Sequence, residues 1–305
     1  MAWTTDEVLV DLRRRANVPD ASGDLADTDL LRILDDSIAL RLGPVVRRCH
    51  VEHWVREIDT ALVAGQAEYR VPSRAMGGAI KDVLLVDAAG VESGNLEQVS
   101  PEQAWRWGQS GGRGTGGFVV LGAKVRLLQA PSTTSGSLRI RYYCRRSRLV
   151  LVAACGLVST FNLSAPTVTI TATPAGWGDG QALDFVAAAP QFDLMGIDAT
   201  AVDITTNVVT FAAGVIPDDI AIGDYLTRAG ETCVIPLPVE LHTALLSDAA
   251  SRLLEDLGYA AEAKMADERA RADLADALAI LAPRVDDKPQ TTINPYSALR
   301  SGRRW

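Results

Sequence analysis

The chain has 305 residues, 48% of them hydrophobic, which is enough to bury a sizeable core, most simply in two domains, and excludes a disordered protein. Its formal net charge of −8 argues against general affinity for nucleic acid. No stretch approaches the ~20 apolar residues that span a bilayer, and the start, MAWTTDEVLVDLRRR, is acidic and amphipathic, so neither a membrane span nor a secretory signal is expected.

Along the chain, Thr4-Thr5-Asp6-Glu7 has the form of a capping box, with Thr4 as N-cap and Glu7 at N3. It predicts a first helix running to about Asn17. A second helix is expected from near Thr28 and Asp29, with Leu30, Leu31, Ile33, Leu34, Ile38 and Leu42 at helical spacing and Gly43-Pro44 interrupting it. The pattern then turns to β. HWVREIDTALV and EYRVP, on either side of Ala64-Gly65-Gln66, read as a hairpin, and AIKDVLLVD, GGFVVLGAKVRLLQ and GSLRIRYYCR read as further strands.

From about Val150 to Val234, Thr, Val, Ala and Gly dominate and turns recur at short intervals. TVTITAT alternates strictly, AVDITTNVVTFAA is a strand pair around Thr206-Asn207, and IAIGDYLTRAGETCVI reads as a last hairpin. Helices return after Pro236-Leu237-Pro238, with Pro238 suited to helix position N1. Leu241, Leu245, Ala249, Leu253 and Leu257 recur every four residues, and Gly258 closes that helix as C′. Tyr259 to Leu281 is a second, alanine-rich helix with Asp267 and Arg271 at i,i+4 spacing, and Pro283 ends it.

The expected fold is therefore α+β. It has a helical core (N-terminal helices plus a C-terminal antiparallel helix pair), β strands, an inserted small β-sandwich or barrel domain, and an extended C-terminal arm. The expected boundaries are 1–148, 150–235, 236–283 and 284–305.

Several catalytic patterns match on paper without their context. Gly108-Gln109-Ser110-Gly111-Gly112 fits G-x-S-x-G, but a nucleophile elbow needs a strand before it and a helix after it, and a glycine run follows here. Gly112-Arg113-Gly114-Thr115-Gly116-Gly117 fits G-x-G-x-x-G, again with no helix to present an N-terminus to a pyrophosphate. Cys49-His50-x-x-His53 falls short of the roughly four ligands of a structural zinc site. Asp193, Asp198, Asp203, Asp218, Asp219 and Asp224 lack calcium-loop spacing. With three histidines in all, base chemistry has few candidates, so neither an enzyme nor a cofactor or metal is expected. Cys49, Cys144, Cys155 and Cys233 are scattered with no close pairing, which suits a reducing cytosol.

Charge is segregated along the chain. Gln103 to Gly178 has nine Lys/Arg and no acid, whereas Leu149 to Thr227 has eight Asp and no Lys or Arg. Complementary potentials fix register between surfaces that meet, which makes Arg139, Arg141, Arg145, Arg146 and Arg148 a candidate intersubunit basic face. Two modules of merely different composition remain the alternative. In RIRYYCRRSR the interleaved Arg and Tyr also suit nucleic-acid contact, yet alternation puts Arg139, Arg141 and Tyr143 on one strand face and Ile140 and Tyr142 on the other. The last segment, from Lys288, has four Lys/Arg, no acid and no secondary-structure period, the composition of a disordered terminus. Ile293, Tyr296, Leu299 and Trp305 set it apart. With Arg300, Arg303 and Arg304 they are the residue types most often found as interface hot spots, so an arm that docks on a partner is expected.

The stretch from Gly223-Asp224-Tyr225 and Gly230-Glu231, through Val239-Glu240-Leu241-His242, to Leu281-Ala282-Pro283-Arg284-Val285 and Asn294, Ser297, Leu299 and Arg300 resembles the C-terminal half of tailed-bacteriophage head-to-tail adaptor (connector) proteins. YRVPSRAMGG from Tyr69, followed by KDVLLVD, is similar to the segment after the first hairpin of such proteins. The likeness covers about two thirds of the chain and is weakest over roughly 91–200. It implies a non-enzymatic virion protein that forms a ring, usually of twelve copies, under the portal. Such a ring extends the DNA channel without reading sequence and offers a platform to the tail or the next connector protein, and the C-terminal arm binds the portal. It implies assembly in the host cytoplasm and residence at the head–tail junction. The alternative is a tail or baseplate component whose β domain binds a host-surface carbohydrate, with the loop SGGRGTGG and the Trp177 turn GWGDG facing the ligand.

Overall fold

Thr4 caps the first helix of a core to which both ends of the described chain contribute. The computed structural model describes residues 3–18, 25–49, 51–104, 116–132, 134–187, 194–213, 216 and 220–281. In helix α1 (Thr5–Arg15) the Thr4 hydroxyl accepts from the Glu7 N–H at 3.4 Å, and the Glu7 carboxylate accepts from the Thr4 N–H at 3.0 Å, so the expected capping box forms. Val8, Leu9 and Leu12 then face inward, where they meet Leu30, Leu31 and Leu34 of α2 (Asp27–Ser37).

The expected break at Gly43-Pro44 is not there. The chain stays helical through a π turn (Ile38–Leu42) into α3 (Gly43–Cys49), with the Gly43 N–H bonded to the Ile38 carbonyl. Proline lacks an N–H and its ring presses on the carbonyl four residues back. A widened turn just ahead of Pro44 gives that ring room, and the helix continues. Position 43 has to be glycine, because a Cβ would lie 2.7 Å from the Ile38 carbonyl oxygen and 3.2 Å from the Trp54 ring.

The first sheet holds β1 (Val55–Ala61), β2 (Glu68–Arg70), β3 (Ala75–Val86), β4 (Glu92–Gln98), β5 (Gly117–Leu121), β6 (Lys124–Leu127) and β7 (Ser137–Cys144), in the order β1-β7-β3-β4-β5-β6-β2. It is curled into a half-barrel around Phe118, Val83, Val125, Leu138 and Ile140. The expected hairpin of the first two strands is corrected: β1 pairs with β7 and β2 with β6, at opposite edges of the sheet. The connecting segment bonds to residues near 131–136 instead, through Leu62 N–H to Gly136 O and Gly65 N–H to Pro131 O. GGFVVLGAKVRLLQ folds back at Gly122-Ala123 as the antiparallel pair β5 and β6.

After β8 (Arg148–Leu149), a second half-barrel sheet holds β9 (Gly156–Asn162), β10 (Thr167–Ile170), β11 (Ala182–Val186), β12 (Leu194–Asp198), β13 (Ala201–Asp203), β14 (Val208–Thr210) and β15 (Tyr225–Arg228). Its order is β12-β11-β15-β9-β10-β14-β13. The strand pair around Thr206-Asn207 forms as β13 and β14, with Asn207 at φ 56°. The last hairpin is corrected: β15 lies between β11 and β9, while β16 (Glu231–Thr232) leaves the sheet and pairs in parallel with β8. The intervening turn is held from outside, since the Gly230 N–H donates to the Asp184 carboxylate and the Gly230 carbonyl accepts from the Arg148 N–H. Trp177 packs in this sheet's core with Leu183, Phe185, Phe211 and Leu226.

The chain then rejoins the helical core. Thr4 bridges Val234, the Thr5 N–H donates to the Cys233 carbonyl, and the Ile235 N–H donates to the Trp3 carbonyl. Pro238 sits ahead of a 3₁₀ turn (Val239–Leu241) that leads into α4 (His242–Asp256), instead of at N1 of the helix. At the far end Gly258 adopts φ 85°. The Gly258 N–H bonds to the Glu255 carbonyl and the Tyr259 N–H to the Leu254 carbonyl, a Schellman closure that needs a left-handed residue. α4 is buried along most of its length by Leu245, Leu246, Ala249, Ala250 and Leu253, and α5 (Ala260–Leu281) packs back against it. Among the described residues no helix is long and apolar enough to cross a membrane.

Candidate interaction surfaces

The two β sheets and the linker between them meet at one buried ion pair. Arg74, in the turn before β3, donates from Nη1 to Asp184 Oδ2 at 2.7 Å. From Nη2 it donates to Ser147 Oγ at 2.9 Å and to the Arg145 carbonyl at 3.3 Å. The Asp184 side chain on β11 is only 1% exposed, so its charge requires these partners and the Gly230 N–H at 2.8 Å. A second anchor fixes the same linker to the helices. Arg146 donates to Asp35 of α2 at 2.5 Å, and the Leu149 N–H reaches both oxygens of that carboxylate at 3.3 Å. Burial holds Asp35 above the usual carboxylate range, although Arg146 pulls the other way. A groove of about 430 Å³ runs beside it, lined by Leu31, Arg32, Asp35, Arg148, Leu149 and Leu151.

The arginines expected to form one basic face are divided between two settings. On β7, Leu138, Ile140, Tyr142 and Cys144 point into the sheet core, and Arg139, Arg141 and Tyr143 point out, as alternation requires. Arg139 grips Asp59 of β1 with two parallel bonds of 2.8 Å, and its cross-strand partner in the ladder is Asp59 itself. Glu92 of β4 accepts from Arg139 at 3.2 Å and from Arg141 at 2.6 Å, and Glu57 accepts from Arg141 at 3.3 Å. The hydrogen bond from Arg139 lowers the Asp59 pKa, and reciprocally the Asp59 carboxylate raises that of Arg139. This part of the face is a neutralised ladder. Arg146 is turned inward to Asp35, while Arg145 and Arg148 are exposed.

A further charged cluster, which the sequence pattern did not single out, joins the helix pair to the π turn. The Arg41 guanidinium bonds to Asp248 of α4 and, at 2.8 Å, to Asp267 of α5. Asp248 also accepts from Arg252 at 3.1 Å, and Asp267 from Arg271 at 2.6 Å, the expected i,i+4 pair. Arg41 is itself a residue of the π turn. The cluster lines a cleft of about 510 Å³ with Ser251, Glu255 and Lys264. Beside it, the fully buried residues of α5 are Ala263, Ala270 and Ala277, seven residues apart and facing α4, while Met265 and Ile280 are exposed.

The remaining expectations fall unevenly. Ile293, Tyr296, Leu299, Arg300, Arg303, Arg304 and Trp305 of the arm lie outside the described residues, as do Ser110 and most of SGGRGTGG. Trp177 is 7% exposed and belongs to the sheet core. Asp203 and Asp224 are turn caps: Asp203 accepts from the Thr205 and Thr206 N–H groups, and Asp224 from the Ala221 N–H. Among the described residues no cluster of three or more His, Cys, Asp or Glu is arranged to hold a metal ion. The four cysteines are free thiols, and Cys155 and Cys233 share a small buried cluster with Val186 and Val234.

No protein-family model matches this chain, and no curated protein matches it.

Proposed function

We propose that the protein is a structural component of a tailed-bacteriophage virion, a head-to-tail adaptor that forms a ring beneath the portal, extends the DNA channel and carries the tail-side protein. The observation that carries this proposal is the helix pair. α5 spans about 33 Å at 1.5 Å per residue, yet its fully buried residues on its own chain are three alanines. Leu274 and Leu281 also pack on the helical core, and Asp267 and Asp273 accept from Arg41 and Ser247, but the opposite face, with Met265 and Ile280, is exposed, and the basic, aromatic arm follows from the helix's end. A ring contact is heterologous, one surface of a subunit against a different surface of the next. A helix exposed along one face suits that geometry. Repetition of a short arm around a ring raises its grip through avidity. The sequence resemblance to adaptors spans these same elements. The acidic net charge suits a channel through which DNA passes without being retained.

The carbohydrate-binding alternative draws less support, because its aromatic platform, Trp177, is packed in the sheet core. The test is mass determination of the full-length protein, alone and with its portal, beside a version truncated after Pro283. A defined multimer with the portal that the truncation fails to form supports the adaptor. Two monomers that ignore the portal refute it.

A further inference from the structure

The inserted sheet is joined to the rest of the molecule by two chain segments, and a thiol sits on each. Cys155 immediately precedes β9, the first strand of the insert, and Cys233 immediately follows β16, where the chain returns to the helical core. Both cysteines belong to one small buried cluster with Val186 and Val234, against which the half-buried Tyr225 packs. The Cys155 thiol also faces the Leu151 carbonyl at 3.7 Å. The neck is held rigid on both sides. The Val150 N–H bonds to the Thr232 carbonyl, β8 pairs with β16, and the Thr5 N–H bonds to the Cys233 carbonyl. The backbone therefore holds both cysteines in the same buried cluster.

We propose that Cys155 and Cys233 form an oxidisable dithiol, a modification site at which a small-molecule disulfide closes a covalent clasp around the neck of the inserted domain. Cys155, 8% exposed against 0% for Cys233, is the less buried of the two and takes the first step. Cys155 releases its proton, and its thiolate attacks one sulfur of the disulfide RSSR. One RS⁻ leaves and takes up a proton, and a mixed disulfide remains on Cys155. Cys233 then attacks the Cys155 sulfur, its proton passing to the second departing thiolate. The sum is two cysteine thiols plus RSSR giving one cystine and two RSH, with the protein oxidised by two electrons and RSSR reduced by two.

The closed bond would span the whole second sheet, β9 to β15. Cross-links that close long loops stabilise chiefly by restricting the unfolded chain. A clasped neck also keeps the insert's two connections together when the helical core breathes. On the adaptor proposal the particle leaves a reducing cell for oxidising surroundings, and the clasp would close after assembly.

The test is to expose the folded full-length protein to oxidised glutathione, block remaining thiols, and map peptides under non-reducing conditions. The expected result is a 155–233 cross-linked peptide about 2 Da lighter than the two thiol peptides together. The melting temperature is expected to rise by roughly 5 °C and to return on reduction. Cys49 and Cys144 stay alkylatable in native or unfolded protein. Three outcomes would overturn the proposal: both thiols still free after prolonged exposure, glutathione retained on Cys155 with Cys233 free, or cross-links to Cys49, Cys144 or a second chain. Cys233→Ser is expected to stop at the glutathione adduct on Cys155, whereas Cys49→Ser is expected to clasp normally. The mapping on unaltered protein stands even if Cys233→Ser folds poorly.

Discussion

Arg74 and Asp184 lie 110 positions apart in sequence and meet at 2.7 Å in the seam between the two β sheets. Arg74 lies in the turn leading into β3 and Asp184 on β11 of the other sheet, and the linker between the sheets supplies the remaining acceptors of Arg74, Ser147 Oγ and the Arg145 carbonyl. Removing one member of such a pair strands a buried charge. Arg74→Ala is expected to cost about 3 to 5 kcal/mol in urea unfolding, well above the ~1 kcal/mol of an exposed pair. The double variant Arg74→Met with Asp184→Leu is expected to recover part of that loss, since the stranded charge is gone. A loss below about 1 kcal/mol for Arg74→Ala would show that the seam does not depend on the pair.

Gly43→Ala sets helix propensity against packing. Propensity alone favours alanine by about 1 kcal/mol. The added Cβ, however, lies 2.7 Å from the Ile38 carbonyl oxygen, a backbone atom of the π turn, with the Trp54 ring at 3.2 Å on its other side. Neither neighbour is a flexible chain end, so packing is expected to win, at a cost of about 1 to 3 kcal/mol. A thermal melt decides the sign. A raised midpoint would mean that the turn relaxes to an ordinary helix.

What the sequence made legible was local. Thr4 and Glu7 are three residues apart, Gly258 ends its own helix, and the alternation of β7 is carried by consecutive residues, so each could be read without knowing the fold. Strand partners depend on long-range choices, and there the local pattern misled. Val55–Ala61 and Glu68–Arg70 look like a hairpin, yet each finds a better partner in β7 or β6. The partners of these charges were hidden for the same reason. Arg139 and Arg141 stand in an acid-free stretch, but their carboxylates come from residues 47 to 84 positions away. The shared cluster of Cys155 and Cys233 was equally hidden, because the insert that separates them in sequence brings its own two ends together.

The Arg139–Asp59 fork carries an acid-limb prediction. The arginine hydrogen bond lowers the folded-state pKa of Asp59 below its ordinary value near 4. A depressed carboxylate contributes stability that is present above the unfolded-state value and lost as pH falls through the folded one. Asp59→Asn is therefore expected to cost up to about 1 kcal/mol at neutral pH, the carboxylate being 43% exposed and screened. It should cost nothing near pH 2. Unfolding curves at both pH values check this, and an equal loss at both would assign the effect to packing.

His242 gives the opposite kind of dependence. Its Nε2 faces the Leu237 carbonyl at 3.3 Å, and a carbonyl only accepts, so the proton of the neutral ring sits on Nε2. Nδ1 is then buried with no hydrogen-bond partner. The Trp3 ring packs at 5.1 Å, and Glu240 is the acidic group whose charge reaches the imidazole. Burial lowers the His242 pKa, with the Leu237 carbonyl and Glu240 opposing it. A histidine whose folded pKa is depressed resists a proton that the unfolded chain accepts below about 6.5. Stability is therefore complete above that pH and falls as the pH drops toward the folded value, by at most about 1.4 kcal/mol per pH unit for one proton. The loss falls where α4 begins and where the N-terminal segment pairs with Val234 and Ile235. His242→Phe keeps a ring against Trp3 but does not titrate. It is expected to lose about 1 kcal/mol at pH 7.5 with the Leu237 bond, and to flatten the slope between pH 7 and 5. His53→Gln, which leaves that junction alone, is expected to retain the slope. If His242→Phe kept the full slope, the titrating group would lie elsewhere.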